Sequence, residues 1–173
     1  LRRIRYRGGV VDGYCSRLHY FTEWAAQNLV SHAGWEEATT SLGVPWECAS
    51  RKLDFMSSHA RLYPRLRDDN ANLCKIKDIE ERLSALPVCR IGKEGAEAAL
   101  AEAGGSCLVA FTTSTEGLDV SHVGFVVVKK GKACLLHASS RHKKVLVEPA
   151  SLKDYLSGQP SVSGMRVFRF RFR

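Results

Sequence analysis

The apolar positions change period partway along the chain. Before Gly105 they recur at intervals of three and four. After it they come in short β-branched runs or alternate with polar residues. Leu18, Phe21, Ala25 and Leu29 predict a helix over Tyr14 to Val30, capped by Ser16 or Asp12. Leu53 to Leu62 reads as a short helix closed before Pro64. Ile76, Ile79 and Leu83 mark a further short amphipathic helix ending before Pro87. Lys93 to Ala103 is alanine-rich, helical by propensity and stopped by Gly104 and Gly105. Gly8 to Gly13 and residues 31–52 read as loops, with Trp35 and Trp46 as satellite core.

Beyond Gly105, Ser106 to Thr113 is a strand candidate, and Asp119 to Ser140 is a β-hairpin around a charged turn containing Gly131. Lys144 to Glu148 is another short strand, and Pro149 to Leu156 a brief helix with Pro149 in its first turn. The chain closes on alternation, Phe168, Phe170 and Phe172 against Arg169, Arg171 and Arg173. That pattern predicts a half-buried strand with a basic outer face. Helices first and an antiparallel meander after them predict an α+β fold, with helices on one side of an antiparallel sheet.

The hairpin carries the chemistry. Each arm holds one histidine, His122 and His137. A two-residue turn at Lys130 and Gly131 sets His122 opposite Ser139 and His137 opposite Gly124. Side chains alternate faces along a strand, so both imidazoles then point to one side as diagonal neighbours. Such a pair suits a base and the group that orients it. The alternative is two satisfied core histidines.

Composition bounds the partners. The 173 residues suit one domain with a real core. A net charge of +8 favours anionic partners such as nucleic acid, anionic lipid or an acidic wall polymer. The basic residues are scattered, however, and the closing phenylalanines and arginines fall on opposite faces, so no specific nucleic-acid partner is expected. No apolar run reaches the length of a membrane span, so no transmembrane segment is expected. Six cysteines include no Cys-x-x-Cys pair, which argues against a structural zinc; no metal and no cofactor are expected. Whether the cysteines form disulfides stays open, and Cys107 and Cys134 read as small core residues. The chain starts at Leu1, in sequence that resembles structured interior, and a missing N-terminal portion is expected. Cys15, at the start of the first predicted helix, is a candidate nucleophile through the helix dipole, or an ordinary loop cysteine.

Ser121-His122-Val123-Gly124-Phe125 with Leu135-Leu136-His137-Ala138-Ser139-Ser140 is similar to the paired histidine motifs of NlpC-type, papain-like cell-wall hydrolases. The stretch Ser16 to Trp24, with Ile4 to Arg7 before it and Gly117-Leu118-Asp119 later, narrows the likeness to the N-acetylmuramoyl-L-alanine amidase-like branch. The resemblance implies a papain-like fold, a sheet or partial barrel under helices. It also implies a cysteine amidase that cuts between N-acetylmuramic acid and L-alanine in peptidoglycan or muramyl peptides, in the bacterial periplasm or envelope. A monomer is expected. By the same resemblance His122 pairs with the nucleophile, His137 orients it, and Arg17, His19 and Tyr20 line the substrate cleft. The family nucleophile lies in an Asp-Cys-Thr-Thr-Phe-like motif that these residues do not contain. The chain is therefore expected to be inactive alone. The alternatives are a non-catalytic wall-peptide-binding module, or a complete hydrolase using Cys15 whose sulfur would then contact His122.

Overall fold

The computed structural model describes residues 1–31 and 34–170. The chain divides into two compact units, each assembled from three stretches. Leu1–His32, Ala49–Val88 and Thr115–Asp119 make the first; Ala33–Cys48, Cys89–Ser114 and Val120–Arg173 make the second.

The first unit is helical. Its longest helix is Asn70–Ser84, started by Asp69, whose carboxylate accepts the Asn72 N–H. Ile76, Ile79 and Leu83 sit on its buried stripe as their spacing predicts, packed with Leu53, Met56 and Leu66. Glu80 is buried on the same helix, and its carboxylate accepts the Tyr20 hydroxyl at 2.6 Å and the Ser57 N–H at 3.1 Å. The helix predicted from Tyr14 begins only at Phe21 and runs to Ser31. Tyr14–Ser16 is a single 3₁₀ turn, after which Arg17 pairs in extended form with Tyr6. That bridge, with Leu18 N–H donating to the Arg5 carbonyl, holds the backbone out of helical geometry. Ser16 therefore locks a turn with Asp12 and Gly13 instead of capping a helix. The Phe21–Ser31 helix is capped from far away in sequence, by Asp119 accepting the Thr22 N–H at 2.7 Å. Gly117 has φ +74°, and a β-carbon there would meet Asp54 Oδ1 at 2.5 Å and Phe55 N at 2.8 Å. Only glycine lets its carbonyl accept from both Asp54 and Phe55 N–H.

The strands among the described residues are Trp35–Glu37 (β1), Glu47–Ala49 (β2), Val88–Arg90 (β3), Cys107–Thr113 (β4), Val120–Lys129 (β5), Lys132–Ser139 (β6), Lys144–Val147 (β7) and Val162–Phe170 (β8), and β1 and β4 to β8 lie within the second unit. Six form an antiparallel sheet in the order β1-β8-β4-β5-β6-β7, while β2 and β3 pair separately. The chain thus has an α+β fold with a six-stranded antiparallel sheet and helices. β1, read from sequence as loop, is only three residues long, too short to show a period. Every residue of β4 is buried, as its central place requires. One sheet face carries Cys107, Val109, Phe111, Val126, Leu135, Met165 and Val167, covered by Ala96, Ala99 and Leu100 of the Ala96–Ala103 helix and by Leu152 and Leu156. Gly104 ends the Ala96–Ala103 helix in the left-handed conformation. The helix placed at Pro149 starts instead at Leu152, because Ser151 supplies the cap by accepting the Asp154 N–H.

Phe168 is buried, but β8 does not alternate: Gly164 to Phe168 are all buried, and Arg169 and Phe170 are both half-buried. Arg166 makes a bidentate pair with Glu37, and Arg169 pairs with Glu36, both on neighbouring β1. Arg171, Phe172 and Arg173 lie outside the described residues. Cys107 and Cys134 are buried, as read from their apolar runs, whereas Cys48 and Cys89 form a disulfide across 41 residues of sequence. Closing a loop of that length restrains the unfolded chain, so the Cys89→Ser variant is expected to lose about 2–4 kcal/mol in a urea titration. An unchanged urea midpoint would mean the bond adds nothing to the fold.

Candidate active site

The histidine site lies wholly in the second unit. Lys129 pairs with Lys132, and Lys130 and Gly131 between them have φ of 50° and 73°. Positive φ at both central residues is the turn whose twist matches a two-residue hairpin. The ladder runs on to Phe125 opposite Leu136, the register that puts His122 and His137 on one face. That face is the covered one: His122 pairs across β4–β5 with Phe111, and its ring lies nearly parallel to the Phe111 ring, 6.4 Å between centroids. A bulge at Ser121, between the Phe111–His122 and Thr112–Val120 pairs, sets the end of the strand at this point.

The two imidazoles meet edge to face, and His122 Nε2 lies 2.6 Å from His137 Nδ1. The chain continues, with His137 Nε2 2.9 Å from Glu148 Oε1. Glu148 was not singled out from sequence beyond ending a short strand. Its place follows from β6–β7 pairing: His137 lies opposite Leu146, and Glu148 is two residues further on the same face. Only the length of the turn after Ser139 fixes that register, and the sequence does not state it. The Tyr155 ring stands edge-on to His137, 5.6 Å between centroids, and fixes its plane from the other side.

The carboxylate decides the protonation pattern, because an ionised carboxylate only accepts. His137 Nε2–H donates to Glu148. His137 Nδ1 then holds a lone pair and accepts from His122 Nε2–H. The free lone pair of His122 is left on Nδ1, so Nδ1 is the atom able to take a proton. Burial and then the neighbouring His137 lower the His122 pKa from its ordinary value. His122 is thus neutral at neutral pH and able to act as a base. A nitrogen-detected NMR titration is expected to show His122 protonating below about 6.5, with Nε2 carrying the hydrogen in the neutral form. By linkage, the unfolded chain takes this proton more readily, so the contribution to stability falls as pH drops from about 6.5 through the lowered folded value.

The other predicted site residues lie in the first unit. Tyr20 is buried in the core of that unit, with its hydroxyl donating to Glu80 and accepting the Met56 N–H. His19 donates or accepts at Nε2 toward Tyr14, and since Tyr14 offers a carbonyl, Nε2–H is the donor at 3.0 Å. Burial lowers the His19 pKa. Arg17 is exposed. Cys15 is buried on the 3₁₀ turn, not at an α-helix N-terminus, and its thiol faces the Asn72 carbonyl and Asn72 Oδ1, both at 3.4 Å. Burial raises the Cys15 pKa, the opposite of what an activated nucleophile needs. Among the described residues no group of three or more His, Cys, Asp and Glu side chains is placed to hold a metal ion. No helix among them is long and apolar enough to cross a membrane.

Residues 1–165 match a family model described as N-acetylmuramoyl-L-alanine amidase-like. Among solved structures, a crystal structure of an N-acetylmuramoyl-L-alanine amidase from Bacteroides uniformis superposes with a TM-score of 0.86 at 33% identity, over 99% of this chain and 72% of that one. A second crystal structure carrying the same description gives 0.85 at 34%, with the same coverage of 99% and 72%. A Bacteroides fragilis protein described as a candidate xylanase gives 0.83 at 35%, over 97% and 72%. No curated protein matches the chain.

Proposed function

The chain belongs to the N-acetylmuramoyl-L-alanine amidase-like family, and from that membership we propose that it carries the base and proton relay of a cysteine amidase of papain-like, NlpC type. The observation that supports this most directly is the unbroken chain from His122 through His137 to Glu148. In the proposed reaction His122 Nδ1 takes the proton of a cysteine thiol, and the thiolate attacks the amide carbonyl carbon. The carbon–nitrogen bond breaks as His122 returns the proton to the leaving amine, which leaves a thioester. Water then gives its proton to His122 and displaces the thiolate. The imidazolium keeps donating through Nε2 to His137, and Glu148 stabilises the positive charge through that ring.

The substrate proposed is the bond between N-acetylmuramic acid and L-alanine in peptidoglycan or its fragments, in the cell envelope. A glycosidase reading, which the xylanase description of one relative raises, fits less well. Hydrolysis of a glycosidic bond ordinarily uses two facing carboxyl groups, whereas this relay contains one carboxylate, already bonded to an imidazole. The reading assigns the sulfur to an Asp-Cys-Thr-Thr-Phe-like motif, which these 173 residues do not contain; of the free cysteines among the described residues, Cys107 and Cys134 are buried, Cys15 is engaged with Asn72, and Cys74 is exposed on the Asn70–Ser84 helix.

Mass spectrometry of a purified muramyl peptide is the test. A longer protein carrying the cysteine motif is expected to release L-alanine-headed peptides. The 173 residues alone are expected to release none, and added thiol is not expected to rescue them. Turnover by the 173 residues would overturn the assignment of the nucleophile and return the chain's own free cysteines, Cys15 and Cys74 first, to consideration. No turnover by the longer protein would overturn the amidase reading.

A further inference from the structure

We propose that the first unit holds a second binding site, for the free carboxylate of a short acidic peptide, between Arg17 and Arg65. Arg17, which the resemblance sets at the substrate cleft, is here a wall of this pocket; binding there needs no nucleophile and no histidine relay, so it can be tested without turnover.

The site is a cavity of about 560 Å³, lined by residues that include Tyr6, Tyr14, Arg17, Arg65, Asp69 and Asn72. Three local features hold the segments that carry these residues around one space. Tyr6 and Arg17 are directly bridged in antiparallel pairing, and residues so paired project to the same side. Tyr14 sits one turn earlier, its ring held at 4.6 Å from the His19 ring. Asn72 Nδ2 donates to the Arg65 carbonyl at 3.2 Å, which ties the start of the Asn70–Ser84 helix to the segment carrying Arg65.

Charge sets the class of ligand. Neither the Arg17 nor the Arg65 guanidinium has an ion-pair or hydrogen-bond partner among the described residues, whereas Arg7, Arg67, Arg90, Arg166 and Arg169 all pair with carboxylates. Guanidinium groups offer a planar fork of donors that fits carboxylate or phosphate oxygens. Asp69 stands in the same lining and is committed, its Oδ1 accepting the Asn72 N–H and its Oδ2 accepting Asn72 Nδ2. Two cations against one carboxylate leave a single net positive charge. That balance favours a monoanion over a phosphate dianion, which would meet the Asp69 charge as well. Size argues the rest: the volume falls in the range of small-molecule sites and far exceeds one carboxylate, and tyrosine rings on the wall suit the apolar flanks of a peptide.

Calorimetric titration of the 173-residue chain tests this with a matched pair, acetyl-Ala-Glu-Ala-amide and acetyl-Ala-Gln-Ala-amide, which differ in one carboxylate. The acid is expected to bind at least about tenfold more tightly than the amide, as a charge-assisted pair would give. Arg17→Gln and Arg65→Gln are each expected to weaken the acid about tenfold and leave the amide unchanged. Both arginines are exposed, so neither change disturbs the core. Arg17→Lys is expected to fall between, keeping the charge and losing the fork. Asp69→Asn, which preserves the helix cap, is expected to tighten the acid and admit inorganic phosphate. Equal binding of acid and amide, no saturable binding of the acid at millimolar concentration, or full affinity in both glutamine variants would each overturn the proposal. Phosphate binding to the parent chain as tightly as the acid peptide would overturn the carboxylate assignment.

Discussion

Replacing His122 by alanine, in a longer protein in which these residues follow a cysteine motif, is expected to abolish release of L-alanine-headed peptides. Proton transfer by a positioned imidazole is worth about 10²–10⁴-fold, and in the proposed reaction this one serves two steps, so the loss is expected to be at least that large. The reason is local. Of the two imidazoles, His122 Nδ1 holds the lone pair that is not spent on the hydrogen bonds of the relay, since His137 accepts at Nδ1 and donates at Nε2. His137→Ala should cost less, because an imidazole that has lost its orienting partner still samples the productive pose. Glu148→Gln separates charge from geometry: the amide oxygen still accepts from His137, but the negative charge that stabilises the His122 imidazolium is gone. Its pH profile is therefore expected to shift with the base, to lower pH, while the folded state persists. Mass spectrometric rates on one muramyl peptide compare all three, and full activity of His122→Ala would remove the base from this assignment.

What could be read in advance follows from how local each determinant is. The hairpin was legible because Lys130-Gly131 fixes a two-residue turn, and the period of two then carries both histidines to one face. The buried stripe of Ile76, Ile79 and Leu83 was legible for the same reason, a period long enough to see. Glu148 was not, because its place depends on a turn between β6 and β7 whose length leaves no mark in composition. The first helix was misplaced because Arg17 pairs with Tyr6, a contact between segments that overrides the helical spacing of Leu18 and Phe21. The same override moves Cys15 off a helix N-terminus and removes the dipole argument for it. Tyr20 was placed at the substrate cleft by resemblance alone; the partner of its hydroxyl, a buried glutamate 60 residues away in sequence, leaves no local mark. Arg166 and Arg169 meet Glu37 and Glu36 only once β8 pairs with β1, so the net charge of the chain overstates how basic the sheet is.

The second large effect is expected at Gly124, the small residue between His122 and Val126 on the histidine face. A β-carbon there would stand 2.6 Å from Leu135 Cδ1, 3.0 Å from the Leu136 carbonyl oxygen and 3.2 Å from His137 Cβ. Strand propensity argues for valine over glycine, by up to about 1 kcal/mol. Sterics argue the other way and win. Leu135 can rotate away, but the Leu136 oxygen is backbone in the next strand, and His137 Cβ is held by the bond from its ring to Glu148. Overpacking of this kind costs about 1–3 kcal/mol even where neighbours are side chains. Gly124→Ala is therefore expected to destabilise by about 1–3 kcal/mol in urea, and Gly124→Val by about 3 kcal/mol or more. The site should fail before the fold does. Any shift of His137 lengthens the 2.6 Å contact to His122, so the bonded imidazole proton is expected to vanish from the NMR spectrum of Gly124→Ala while the urea transition remains cooperative. A Gly124→Val protein with the parent urea midpoint and an intact imidazole resonance would show that the gap between the two histidines is not set by this residue.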